Sequence, residues 1–169
     1  FRWRWAPVAG LLTIALLGLP DHVAVRSHLS HGWYTYPQAR PPLTDLDYPA
    51  AARIIAEGYR PGDGVVYQRD GFWWRMIDVG VEHYLPDSVQ LRDVFLQTTA
   101  ADSYELMARE CAAECLGAEP RLWVVVAGHT DDVTTEFAPV RTEALRSAYV
   151  QTWLAHPSGL TVGLLERRS

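Results

Sequence analysis

Leu122-Trp123-Val124-Val125-Val126-Ala127 is an unbroken apolar run rich in β-branched and aromatic side chains. It is too short for a stable helix and shows no polar alternation, so the strand it forms must be covered on both faces. A central strand of a parallel sheet flanked by helices has this character. Val65-Val66-Tyr67 follows the turn Arg60-Pro61-Gly62-Asp63-Gly64 and reads as a second strand, and Val94-Phe95-Leu96 as a third. Helical stretches lie between them. Asp47 is placed to cap a helix whose first turn holds Pro49 and whose apolar face is Ala51, Ile54, Ile55 and Gly58. Phe72 to Leu85 is amphipathic: Trp73, Met76, Ile77, Gly80, Val81 and Tyr84 fall on the buried side, and Pro86 ends the helix.

Asp102-Ser103-Tyr104-Glu105 resembles a capping box opening a helix with Tyr104, Met107, Ala108 and Cys111 on one side. Pro139 to Tyr149 is expected to be helical with Val140, Ala144, Leu145 and Ala148 inward. Val150–His156 and Leu160–Glu166 read as a hairpin around Pro157-Ser158-Gly159. The alternation of helices and strands predicts an α/β fold: a three-layer α/β/α sandwich with a mostly parallel sheet and a C-terminal antiparallel hairpin.

The amino-terminal part has a different character. Ala6 to Leu19 is uncharged and apolar, and Trp3, Trp5, Arg2 and Arg4 precede it. A membrane span needs roughly 20 apolar residues, and interfacial tryptophans extend this run toward that length. Residues 1–19 are therefore expected to be the end of the last membrane helix of a longer chain, 20–46 a linker, and 47–169 an extracytoplasmic domain. Arg2 and Arg4 would lie on the cytoplasmic side. Two other readings stand beside this one. A signal peptide also has a basic start and a short apolar core, although no small-x-small cleavage site follows Leu19. A buried helix of a soluble domain is the other.

Net charge is −5, all 15 basic residues are arginines, and none forms a stripe. Nucleic-acid binding is thus not expected. The only cysteines are Cys111 and Cys115. In an exported domain an even count suggests a disulfide, with two reduced thiols as the alternative. Residues four apart on a helix hold their Cβ atoms about 6 Å apart, against about 3.8 Å in a disulfide. A Cys111–Cys115 bridge therefore requires a helix end near Cys111.

Ligands of open α/β sheets bind beyond the carboxyl ends of the strands. The loops there are Gln68-Arg69-Asp70-Gly71, Gln97-Thr98-Thr99 and Gly128-His129-Thr130-Asp131-Asp132. Tyr67, Arg69, Asp70, Arg75, His129 and Asp131 are the candidate ligand-contacting residues. His129 with the two aspartates reads either as a metal or acid/base cluster or as a solvated loop with an aspartate shaping the turn. Arg75, Asp78 and Glu82 read as a polar grip or as ion pairs on an exposed helix face. No nucleotide fingerprint and no nucleophile elbow is present, so no catalytic residue, metal or cofactor is assigned.

Five segments together carry a resemblance: Asp47-Tyr48-Pro49-Ala50-Ala51-Ala52; Arg60-Pro61-Gly62-Asp63-Gly64-Val65-Val66-Tyr67; Asp78-Val79-Gly80-Val81-Glu82-His83-Tyr84-Leu85-Pro86; Leu122-Trp123-Val124-Val125-Val126; and Leu164-Leu165-Glu166-Arg167-Arg168. Placed after a final span, they resemble the C-terminal end of bacterial multi-span GT-C glycosyltransferases. These are mannosyltransferase-like proteins akin to glycosyltransferase family 39 and the lipid A aminoarabinose transferase group. The resemblance implies sugar transfer from a polyprenyl-phosphate donor at the outer face of the cell membrane, with membrane lipid and that donor as partners. It also implies that the catalytic acid sits in an external loop of the membrane part, outside this chain. The alternative is a membrane-anchored, non-enzymatic binding or structural module.

Overall fold

The computed structural model describes residues 6–26, 46–69, 76–105 and 108–169. The chain divides into two units, 1–45 and 46–169. In the first unit, α1 spans Ala6–Arg26 and runs through Pro20. The helix thus continues beyond the expected end at Leu19. Leu11, Leu12, Ile14, Leu16, Leu17 and Leu19 are all exposed, so its apolar side chains point in every direction around the axis. No helix among the described residues is long and apolar enough to cross a membrane. The uncharged run of α1 stops at Leu19, and its last turns carry Asp21, His22 and Arg26. Most of the 20–46 linker lies outside the described residues.

The second unit is mixed α/β. Its elements are α2 (Tyr48–Gly58), β1 (Gly64–Tyr67), α3 (Ile77–Tyr84), β2 (Arg92–Asp93), β3 (Leu96–Thr98), α4 (Ala100–Ser103), β4 (Arg109–Glu110), β5 (Arg121–Ala127), α5 (Pro139–Ala148), β6 (Tyr149–Ala155) and β7 (Leu160–Arg167). Five strands form one sheet in the order β2-β1-β5-β7-β6. β2, β1 and β5 pair in parallel, and β7 is antiparallel to both β5 and β6. Four strands therefore point one way and β7 alone runs against them. β3 and β4 make a separate antiparallel ribbon.

β5 is the middle strand, as its apolar run requires, and Leu122 to Val126 are at most 3% exposed. Its pleat feeds two cores. Trp123 and Val125 join Ala51, Ala52 and Ile55 of α2 and Ile77 and Val81 of α3. Leu122, Val124 and Val126 join Val133, Phe137 and Leu145. Period-2 alternation alone divides these residues between opposite faces.

α2 starts as its sequence dictates. The Asp47 carboxylate accepts from the Ala50 N–H at 3.0 Å, and Pro49 sits where no N–H is needed. Asp63, in the turn before β1, is a buried carboxylate with a partner for each oxygen. It accepts from Arg121 Nε at 2.9 Å and Nη2 at 2.5 Å, from Trp123 Nε1 at 3.1 Å and from the Arg60 N–H at 2.9 Å. The turn is thereby fastened to the start of β5.

Four expectations need correction. The described part of the 72–85 helix begins at Ile77, after Met76 at φ 42°, and Met76 and Tyr84 are exposed. Val94 and Phe95 are buried but form the turn between β2 and β3, because the chain leaves the large sheet there to start the ribbon. The expected helix through Cys111 is a single turn, α4. Its N-cap is Thr99, which accepts from the Asp102 N–H and donates to the Asp102 carboxylate. Tyr104 takes a left-handed φ of 55° at its end and is 97% exposed. Val140 is exposed on α5, whose inward anchor is Leu145.

Cys111 and Cys115 form a disulfide with a Cα–Cα distance of 6.0 Å. A strand end and a 3₁₀ turn, Ala113–Cys115, carry the two cysteines, so the helix geometry that would have kept them apart does not arise. Thiol titration of the unreduced, denatured chain is expected to find no free thiol. Replacing both cysteines with alanine should cost no more than about 2 kcal/mol, because so short a loop removes little entropy from the unfolded chain.

Candidate functional site

Two polar clusters lie at strand ends. The first gathers around Arg69, two residues past β1. Its Nε donates to Asp78 of α3 at 2.7 Å, its Nη1 to Glu110 of β4 at 3.3 Å, and its Nη2 to Asp93 of β2. Arg141 of α5 donates to the other oxygen of Glu110 at 2.8 Å and to the Cys111 carbonyl at 3.2 Å. The Arg69 side chain is 9% exposed and that of Asp93 6%. One guanidinium thus ties the large sheet to α3 and to the small ribbon, and through Glu110 to α5.

Burial works against the charge on Arg69, but hydrogen bonds to Asp93 and Asp78 and their charges outweigh it and hold the guanidinium firmly protonated. Tyr67, at the end of β1, lies with its ring centroid 5.7 Å from the Arg69 guanidinium carbon. Burial, then the charges of Glu82 and Asp93, push its phenol far above the usual tyrosine range, so it stays protonated. Glu82 itself has much of its side chain in solvent. Desolvation of its carboxyl and the nearby Asp78 and Asp93 nevertheless push it above the ordinary glutamate range. Among the described residues, the Tyr67 hydroxyl and Asp93 Oδ1 are buried without a hydrogen-bond partner. The arrangement is that of an ion-pair lock. Three of the Arg69 nitrogens already face carboxylates, which leaves little capacity to hold an anionic substrate.

The second cluster lies past the end of β5. Gly128 turns the chain at φ 83°, a conformation that suits glycine. It exposes His129 and Asp131 beside His156, which precedes the hairpin turn into β7. One ligand atom from each of these three side chains lies within 4.8 Å of the others. The two imidazole rings stack with centroids 3.8 Å apart. The loops are stitched together: the Gly128 N–H donates to the Gly159 carbonyl at 2.8 Å, and the Gln151 amide donates to the Asp131 carbonyl at 2.8 Å.

Of the residues singled out from sequence, Tyr67 and Arg69 come together in the first cluster and His129 and Asp131 in the second. Asp70 and Arg75 lie outside the described residues, as does Trp73. Asp78 pairs with Arg69, while Asp132 caps the 3₁₀ turn Val133–Glu136 and pairs with Arg146 at 2.6 Å. Asp93, Glu110, Arg141 and His156 were not among the candidates. Only His156 had a usable signal, since a C-terminal hairpin laid beside β5 brings its turn to the loop of His129. No protein-family model, curated protein or solved structure matches the chain.

If the Arg69 cluster is a lock, Arg69→Met should cost about 3–5 kcal/mol of stability, because it leaves buried carboxylates unpaired. Tyr67→Phe removes an unpartnered hydroxyl and should leave the unfolding midpoint unchanged or raise it. Urea denaturation of both variants measures this. A clear loss in Tyr67→Phe, with Arg69→Met near wild type, would make the cluster a binding site instead.

Proposed function

We propose that this chain is the C-terminal extracytoplasmic part of a membrane glycosyltransferase using a polyprenyl-phosphate sugar donor, and that it is accessory to catalysis. In this reading a three-layer α/β/α domain follows a lipid-seated helix and caps the membrane part or helps hold the acceptor. The observation that carries it is α1, whose leucines and isoleucine are exposed all round. Such a helix has no polar face for water and is suited to an apolar surrounding. The Cys111–Cys115 disulfide supports an oxidising compartment. The accessory role is supported by the ion-pair lock: the Arg69 cluster has its cations engaged by its own carboxylates.

The family reading places the catalytic acid in a membrane loop outside these residues. The reading frame around the coding sequence should therefore encode a series of further apolar spans. In the protein it encodes, reconstituted in membranes with a polyprenyl-phosphate donor, His129→Ala or Asp131→Ala should lower sugar transfer by no more than about tenfold, or ~1.4 kcal/mol in the barrier. Loss of a general acid or base typically costs about 10²–10⁴-fold. A loss of that size in a folded variant, or a reading frame without further spans, would overturn the proposal.

A further inference from the structure

We propose that His129, Asp131 and His156 form a binding site for a divalent transition-metal ion of the Zn²⁺ type. The inference does not depend on the glycosyltransferase reading. It starts from the hydrogen bonds of Thr161, a fully buried hydroxyl on β7. A hydroxyl has one proton to give, and Thr161 gives it to the Gly128 carbonyl at 2.7 Å. Its oxygen then accepts, from the Thr130 N–H at 3.3 Å and from His156 Nδ1 at 3.1 Å. Nδ1 of His156 must therefore carry the imidazole proton, and Nε2 is left with a free lone pair. Metal-binding histidines are held this way: one ring nitrogen donates to a fixed acceptor, which orients the ring and sets the tautomer, while the other binds the ion.

The remaining ligands are supplied by the same end of the sheet. His129 and Asp131 follow β5, and the Gly128–Gly159 and Gln151–Asp131 bonds hold their loop against the hairpin. Ligand atoms around a zinc ion at ~2.0–2.1 Å stand a little over 3 Å apart. The three side chains are exposed and have their ligand atoms within 4.8 Å, so side-chain rotation alone can close the gap. Two imidazoles and a carboxylate select zinc and its first-row neighbours over magnesium or calcium, which favour all-oxygen sites. Three protein ligands leave a position open for water or a further ligand.

The test is isothermal titration of the chelator-stripped full chain with Zn²⁺ alone. One ion per chain should bind saturably. His129→Ala and His156→Ala should each weaken binding at least tenfold. Thr161→Val, which removes the acceptor for Nδ1 together with the hydroxyl's bonds to Gly128 and Thr130, should weaken it about tenfold, with an unchanged circular dichroism spectrum. His83→Ala should bind as wild type. If Thr161→Val unfolds the chain, ¹⁵N NMR of the wild-type imidazoles replaces it, with a proton on Nδ1 of His156 as the expected result. No saturable binding below about 1 mM, affinity that survives both histidine substitutions, or a proton on Nε2 of His156 would overturn the assignment.

Discussion

The fold depends on one constraint: β5 is apolar on both faces and must be covered on both. Trp123 and Val125 cannot leave water unless α2 and α3 pack over one face, and Leu122, Val124 and Val126 require α5 and the Val133–Phe137 segment on the other. Burying side chains of this size is worth ~1.5–3 kcal/mol each relative to exposure. The strand must also be paired on both edges, by β1 and β7. The Asp63–Arg121 pair and the Trp123 indole bond then fasten the turn before β1 to the start of β5. Because β7 enters the sheet antiparallel beside β5, the loop after β5 and the turn before β7 meet at one end, and His129 meets His156 there.

The same geometry explains why the Arg69 cluster holds structure together. β2 lies parallel beside β1 with Asp93 opposite Val65, and Arg69, two residues past the end of β1, reaches both Asp93 and Glu110 of the small ribbon. An arginine closed off from water needs carboxylates around it, and carboxylates crowded there need the arginine. Tyr67 stays protonated in that surrounding, and among the described residues its hydroxyl and Asp93 Oδ1 are a buried donor and a buried acceptor that both lack partners.

Much of the fold was legible in the sequence because burial writes itself in periodicity. The run Leu122–Ala127, the Asp47 cap with Pro49, and the turn at Pro157-Ser158-Gly159 each report a local rule, and each is found in place. The helix expected from Asp102 to Cys111 fails for a physical reason. Tyr104, Met107, Ala108 and Cys111 fall at helical spacing in the sequence, but Thr99 and Tyr104 close α4 after one turn, and the long-range pairing of β3 with β4 takes over. Such pairing leaves no periodic trace in segments of two or three residues. The site residues follow the same division. Tyr67, Arg69, His129 and Asp131 stand at strand ends that can be read from sequence, whereas Asp93, Glu110 and Arg141 reach Arg69 only through tertiary packing. α1 also runs past the expected end at Leu19, because the uncharged apolar run marks where charge begins and not where the helix stops.

A helix whose Ala6–Leu19 stretch exposes apolar side chains on every side, joined in one chain to a domain built on two internal cores, makes the surroundings of α1 the decisive question. Density-gradient flotation with phospholipid vesicles answers it. The account predicts that the full chain rises with the vesicles, and that the variant carrying Leu11→Gln, Ile14→Gln and Leu17→Gln stays at the bottom with an unchanged α/β domain. A wild-type chain that remains at the bottom, folded and monomeric, would contradict it.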